Sequence, residues 1–121
     1  LKNVTYIGSI NTKKYAEVIE KSTISLNILR KQNYSSHNMR TFEIPAMAGL
    51  MLTKRTNEQN DFFKENRECL MYEDFKELNN KIKIVLNNKK KFFKIKKNGY
   101  KVSKKYTYLS RAKYILRIIY Q

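Results

Sequence analysis

Four short apolar runs recur in the first part of the chain: VTYIG (Val4 to Gly8), TISLNIL (Thr23 to Leu29), LMLT (Leu50 to Thr53) and CLMY (Cys69 to Tyr72). Between them lie segments whose apolar residues return every three or four positions. This alternation limits the fold more than any other feature. Strands that alternate with helices pair in parallel through right-handed crossovers. The fold class is therefore α/β, a layered parallel-sheet domain of about four strands followed by C-terminal helices. TISLNIL is apolar on both faces, as a strand covered by helices on either side must be.

The helices have recognisable starts and faces. Asn11 or Thr12 caps the first, which runs to about Lys21 with Tyr15, Val18 and Ile19 on one side. Met39 to Ala48 reads as the second, with Phe42, Ala46 and Met47 at helical spacing. Pro45 weakens that helix unless it sits near the first turn, and Gly49 is a natural stop. Thr56 or Asn57 starts a short helix around Glu58 to Lys64. Asp74 caps a helix in which Phe75, Leu78, Ile82, Val85 and Leu86 share a face. Two basic helices follow, near Lys90 to Val102 and from about Thr107 to Ile119. Residues 1–121 read as one domain, with the basic helices of residues 90–121 packing on it.

Length and composition agree. The chain has 121 residues and is 41% hydrophobic, enough for one domain with a packed core. Its one cysteine, Cys69, excludes a disulfide framework and a zinc spacing and suits a reducing compartment. No apolar run approaches the roughly 20 residues that span a bilayer. The opening LKNVTYIG lacks a charged region followed by an apolar one, so no signal peptide is read there. The expected location is cytoplasmic. The absence of an initiator methionine suggests a fragment or an excised domain.

Net charge is +16, unevenly spread. All ten acids lie at or before Glu77, alongside 12 Lys and Arg; Leu78 to Gln121 holds 14 Lys and Arg and no acid. Such a segment suits nucleic acid or an anionic membrane surface, although an AT-rich genome produces the same abundance of Lys, Asn and Ile without a partner. KKKFFKIKK (Lys89 to Lys97) mixes cations with rings, a pattern of single-strand nucleic-acid binding. Phe92, Ile95, Gly99 and Val102 nevertheless fit one apolar helix face, so the rings are assigned to the core. The last helix carries Tyr108, Ala112, Ile115 and Ile119 on one side, flanked by Arg111, Lys113 and Arg117. It could lie on the inner face of a membrane, but packing is the preferred reading.

The candidate site is HNMRTFEIPAMAG (His37 to Gly49). In open α/β sheets ligands sit beyond the carboxyl ends of the strands, where the loop after the second run and the start of the next helix fall. A helix start offers free N–H groups to a phosphate, and Arg40 adds a forked cation. Glu43, one turn on, repels phosphate but accepts hydrogen bonds from sugar hydroxyls. The pair suits a nucleotide with a diphosphate and a ribose; the plainer alternative is a surface ion pair. Neither a P-loop nor the dinucleotide fingerprint is present. His37 is the only histidine, and no metal site can be built around it and Cys69. A Cys69–His37 nucleophile pair is less fitting than a buried, inert thiol.

YIGSI, SLNILR, RTFEIPAMAGLMLT, ECLMYED, KELNNKI and YTYLSRAKYIL, in that order and spacing, resemble the C-terminal part of GT-B-fold glycosyltransferases, nearest the group-1 type of CgeB-like proteins. R-T-F-E-I-P-A-x-x-G is the most specific piece. The resemblance implies an enzyme that moves a sugar from a nucleotide-sugar donor, UDP- or GDP-linked, to an acceptor, with no separate cofactor and no metal. This chain would supply the donor-nucleotide site and transfer nothing alone. Glu43 would contact the ribose, and Asn38, Met39 and Arg40, with His37 beside them, would face the diphosphate. Thr53, Lys54 and Arg55 would border the nucleotide. Many retaining relatives carry a second glutamate where this chain has Ser35, and histidine is frequent where it has Tyr106. The resemblance also implies that this chain is an incomplete Rossmann-like three-layer domain, with an N-terminal domain across a cleft and two further strands between VTYIG and the rest of the sheet. A second copy of the chain is the other expected way to complete it. The alternative function is a non-catalytic basic module for nucleic acid or anionic membrane.

Overall fold

The computed structural model describes residues 3–33 and 35–120. Its elements are α1 (Thr12–Lys21), β1 (Ser25–Asn27), a 3-10 turn (Lys31–Asn33), α2 (Arg40–Ala46), β2 (Met51–Lys54), α3 (Asn57–Phe62), β3 (Leu70–Tyr72), α4 (Phe75–Asn87), α5 (Lys89–Ser103) and α6 (Tyr108–Ile119). The strands are parallel in the order β1-β2-β3, with Leu26 beside Leu52 and Leu52 beside Leu70. This is the α/β architecture of an incomplete Rossmann-like domain. The caps form as their residue types dictate. Asn11, Thr56, Asp74 and Thr107 each accept a backbone N–H from the first turn of α1, α3, α4 and α6 respectively.

Alternating strand residues serve opposite layers. Met51, Cys69 and Met71 join Ile19 of α1, Ile44 of α2 and Phe63 on one face. Leu50, Leu52 and Leu70 meet Val85 of α4 on the other, with Phe92 and Ile95 of α5 against them. α5 belongs to both layers, because Val102 at its far end packs on the first cluster. It crosses between them at Gly99, where an added Cβ would lie 2.4 Å from the Glu68 carbonyl oxygen and 3.7 Å from Pro45 Cβ. Pro45 sits inside α2, buried; its ring helps to form the surface on which α5 rests.

The structure corrects four expectations. VTYIG is not a strand: Val4 to Gly8 has no regular structure and Tyr6 is 92% exposed. A strand exists only against a partner, and among the described residues the free edge of β1 carries none. The sheet thus has three strands rather than four. Phe75 is 79% exposed, because the cap at Asp74 turns the first residue of α4 outward; Val85 is the fully buried member of its face. The α2 stop is not a glycine effect. Ala48 takes the left-handed conformation (φ 53°), and Gly49 is small because a Cβ there would meet Ile19 Cγ2 at 2.6 Å and Ile44 Cγ2 at 2.9 Å. The rings of α5 divide, Phe92 inward and Phe93 outward. α6 buries none of its residues.

Gly99 gives a test of the crossing. Replacing a helical glycine by alanine ordinarily adds about 1 kcal/mol of stability. Here the methyl group strikes a backbone carbonyl that cannot move aside without moving the entry to β3. Gly99→Ala should instead lower stability by about 1–3 kcal/mol, read as a fall in the urea midpoint.

Candidate functional site

The site is built on buried polar groups at the end of β1. Asn27 is fully buried, so its amide must find partners inside the protein. Its Nδ2 donates to Thr41 Oγ1 (3.2 Å), and its Oδ1 accepts from Asn38 Nδ2 (2.9 Å). Gln59 Nε2 of α3 donates to the same Thr41 hydroxyl (3.0 Å). Asn38 Oδ1 accepts the Thr41 N–H (3.2 Å), the bond a helix-capping side chain makes. On the other side, Thr56 Oγ1 accepts the Gln59 N–H (3.0 Å) and donates to the Ser36 carbonyl (3.3 Å). Residues 36–38 are therefore tied to β1, α2 and the start of α3.

An aromatic group stands next to this network. The His37 ring meets Phe42 and Phe62 edge-on, with centroids 5.4 and 5.0 Å apart. Its Nδ1 lies 2.9 Å from Glu58 Oε2. The Ser36 hydroxyl, then His37, holds the Glu58 carboxyl below its ordinary range. Tyr106 packs on Phe42, Phe62 and Phe63 at 5.5, 5.4 and 5.8 Å. Its hydroxyl donates to the Phe62 carbonyl (3.3 Å). Arg111 of α6 lies over the Phe42 ring, 4.8 Å from its centre.

These groups surround a cavity of about 530 Å³. His37, Asn38, Met39, Phe42, Glu43 and Ala46 form one wall, and Ser103, Tyr106, Thr107, Tyr108 and Arg111 the other. Four of the residues singled out in the sequence thus meet in one place: His37, Asn38, Met39 and Glu43. Glu43 also lies near Tyr15 of α1. Burial pushes that phenol up, Glu43 adds to the shift and Arg40 opposes it.

A family model described as glycosyl transferase-like matches residues 1–117. The chain belongs to that family. No curated protein and no solved structure matches it. Sugar transfer is the chemistry of the glycosyl transferase-like family, with a sugar donor and an acceptor as partners. Among the described residues no group of three or more His, Cys, Asp or Glu could hold a metal ion, and no helix is long and apolar enough to cross a membrane.

The other sequence candidates of this glycosyl transferase-like chain lie elsewhere. Arg40 is exposed, is not among the cavity's lining residues and forms no ion pair with Glu43 among the described residues. Thr53 is buried, and its hydroxyl donates to the Asn27 carbonyl (3.3 Å) across the sheet. Lys54 Nζ meets Glu73 Oε1 at 2.8 Å. Arg55 forks onto Glu65 (2.9 and 2.8 Å) and onto Glu77 (3.0 and 2.7 Å). Lys81 joins both carboxylates, at 2.6 Å to Glu65 and 3.1 Å to Glu77. The loop after β2 is therefore engaged with β3 and α4. Cys69 is buried, with burial pushing its thiol up to about 12, and takes no part in the cavity. What the sequence reading missed is the second wall. The only pointers were Tyr106, singled out by the family resemblance, and the flanking position of Arg111.

Two outcomes follow. Thr41→Val keeps the shape but leaves the Asn27 and Gln59 amides without their shared acceptor. It should cost about 2 kcal/mol or more, seen by chemical denaturation, whereas Ser at position 41 should retain most of the stability. The second concerns acid. Arg55 holds Glu77 down at about 2 and Glu65 below its ordinary 4.5. Folded carboxyls with depressed values stabilise fully above the unfolded value and lose that contribution as pH falls through the folded one. The urea midpoint should therefore drop between about pH 4.5 and 2, and Arg55→Met should flatten that dependence.

Proposed function

We propose that this chain forms the donor-nucleotide wall of a sugar-nucleotide-dependent glycosyltransferase of GT-B architecture, CgeB-like in type, for a UDP- or GDP-linked donor. One observation carries the reading: a single cavity at the end of β1 gathers His37, Asn38, Met39 and Glu43. A carboxylate in such a place accepts hydrogen bonds from vicinal ribose hydroxyls. The rings of Phe42, Tyr106 and Tyr108 give a base an apolar bed. In the GT-B arrangement a second Rossmann-like domain closes the cleft and brings the acceptor, a sugar, lipid or protein. This chain alone binds nucleotide weakly and transfers no sugar.

A second reading rests on α5. Phe93 and Tyr100 are exposed, Lys97 and Lys104 share their side of the helix, and Lys104 lies 4.8 Å over the Tyr100 ring. Such a stripe suits single-stranded nucleic acid. The two readings separate in one experiment. Ligand-observed NMR titrations with UDP, GDP, CMP and a short single-stranded DNA are run on wild type and Glu43→Ala, at low and high salt. A donor site gives one nucleoside diphosphate bound about tenfold or more weaker in the variant, with modest salt dependence. A nucleic-acid module binds DNA alone, loses it steeply with salt and is indifferent to Glu43.

A further inference from the structure

We propose that Arg111 is the residue that grips the phosphates of a nucleoside diphosphate in this cavity, an inference that rests on the donor-site reading above. A diphosphate beside Glu43 needs an opposing charge close by. The sequence suggested Arg40 and the start of α2 for it, and set Lys54 and Arg55 at the border of the nucleotide. Arg40 does not line the cavity, and Lys54 and Arg55 are held by Glu73, Glu65 and Glu77. α2 has seven residues, and its Thr41 N–H is already bonded to Asn38.

Arg111 has none of these handicaps. It lines the cavity opposite Glu43's helix, and among the described residues no carboxylate pairs with it. Its guanidinium lies over Phe42 at 4.8 Å. Stacking uses the flat face of the ion and leaves the N–H groups free in its plane, which is the geometry that meets two phosphate oxygens. Phe42 also carries His37 on its edge, so one ring sets both groups at the same opening. Thr107 and Tyr108 line the cavity as well, and the positive end of the α6 dipole adds to the field there. With Glu43 repelling phosphate and Arg111 attracting it, the ligand has one favourable direction: ribose on α2, diphosphate on α6.

The test compares UDP and GDP with uridine and guanosine, by calorimetric or NMR titration of the 121-residue chain. Arg111→Gln should weaken the diphosphate roughly tenfold to hundredfold and leave the nucleoside within about twofold. Arg111→Lys should recover part of the loss, because a point charge attracts phosphate without forking. Helical content by circular dichroism should not change. If Arg111→Gln weakens nucleoside and diphosphate alike, or neither, the inference is overturned while a Glu43-dependent donor site stands. If wild type binds no nucleotide at all, the donor-site reading falls and this inference with it.

Discussion

One hydroxyl holds the first wall of the site in register with the sheet and with α3. Thr41 Oγ1 accepts the side-chain amides of Asn27 from β1 and Gln59 from α3, and it lies in the first turn of the helix whose entry Asn38 caps. A threonine hydroxyl has two lone pairs, and both are used by amides that have lost water. The strand end, α2 and α3 are thereby locked at fixed distances, and the Phe42 and Phe62 rings, 5.0 Å apart, add an apolar contact between the two helices. Phe42 and Glu43 follow Thr41 directly in α2. Their approach to the cavity is set by that hydroxyl rather than by the helix's own propensity, which Pro45 and a length of seven residues make weak.

The charges are distributed to the same end. Seven of the ten acids, Glu58, Asp61, Glu65, Glu68, Glu73, Asp74 and Glu77, lie between the start of α3 and the first turn of α4. Three of them take the cations of the β2 loop and Lys81 into one network that joins β2, β3 and α4. This network braces the sheet. It also removes positive potential from the strand ends, where a basic protein would otherwise present it. The cation left facing the cavity comes from α6, in a segment that carries no acid to neutralise it.

How much of this was legible differs from element to element. The β-branched run around Leu26, the cap at Asp74 and the inner face of α5 at Phe92, Ile95, Gly99 and Val102 could be read because each depends on neighbours close in sequence. VTYIG failed for the opposite reason: strand propensity says nothing about whether an edge is available. Gly49 was seen, but for the wrong cause, since its need for smallness comes from Ile19, far back in the chain. The first wall of the site was readable because His37 to Glu43 is contiguous. The ion pairs of Lys54 and Arg55 were not readable, because their partners, Glu73, Glu65 and Glu77, are set by strand register and not by spacing. Arg111 reaches Phe42 only after α5 has crossed from one layer to the other, a path that no local pattern encodes.

That path has a consequence for how the site works. α5 is anchored by close approach at Gly99 and by apolar contacts at both ends, while α6 buries no residue and is held to the cavity through Tyr106 behind it and Arg111 over Phe42. The first wall is thus rigid and the second is attached at few points. A wall with few contacts opens at low cost, so ligand can enter without unfolding the sheet. A bound anion adds a contact between the two walls that the empty protein lacks. On the proposed assignment ligand and wall would stabilise each other: a phosphate oxygen held by Arg111 would draw the start of α6 toward α2, and the tighter the walls stand, the drier and stronger that ion contact would become.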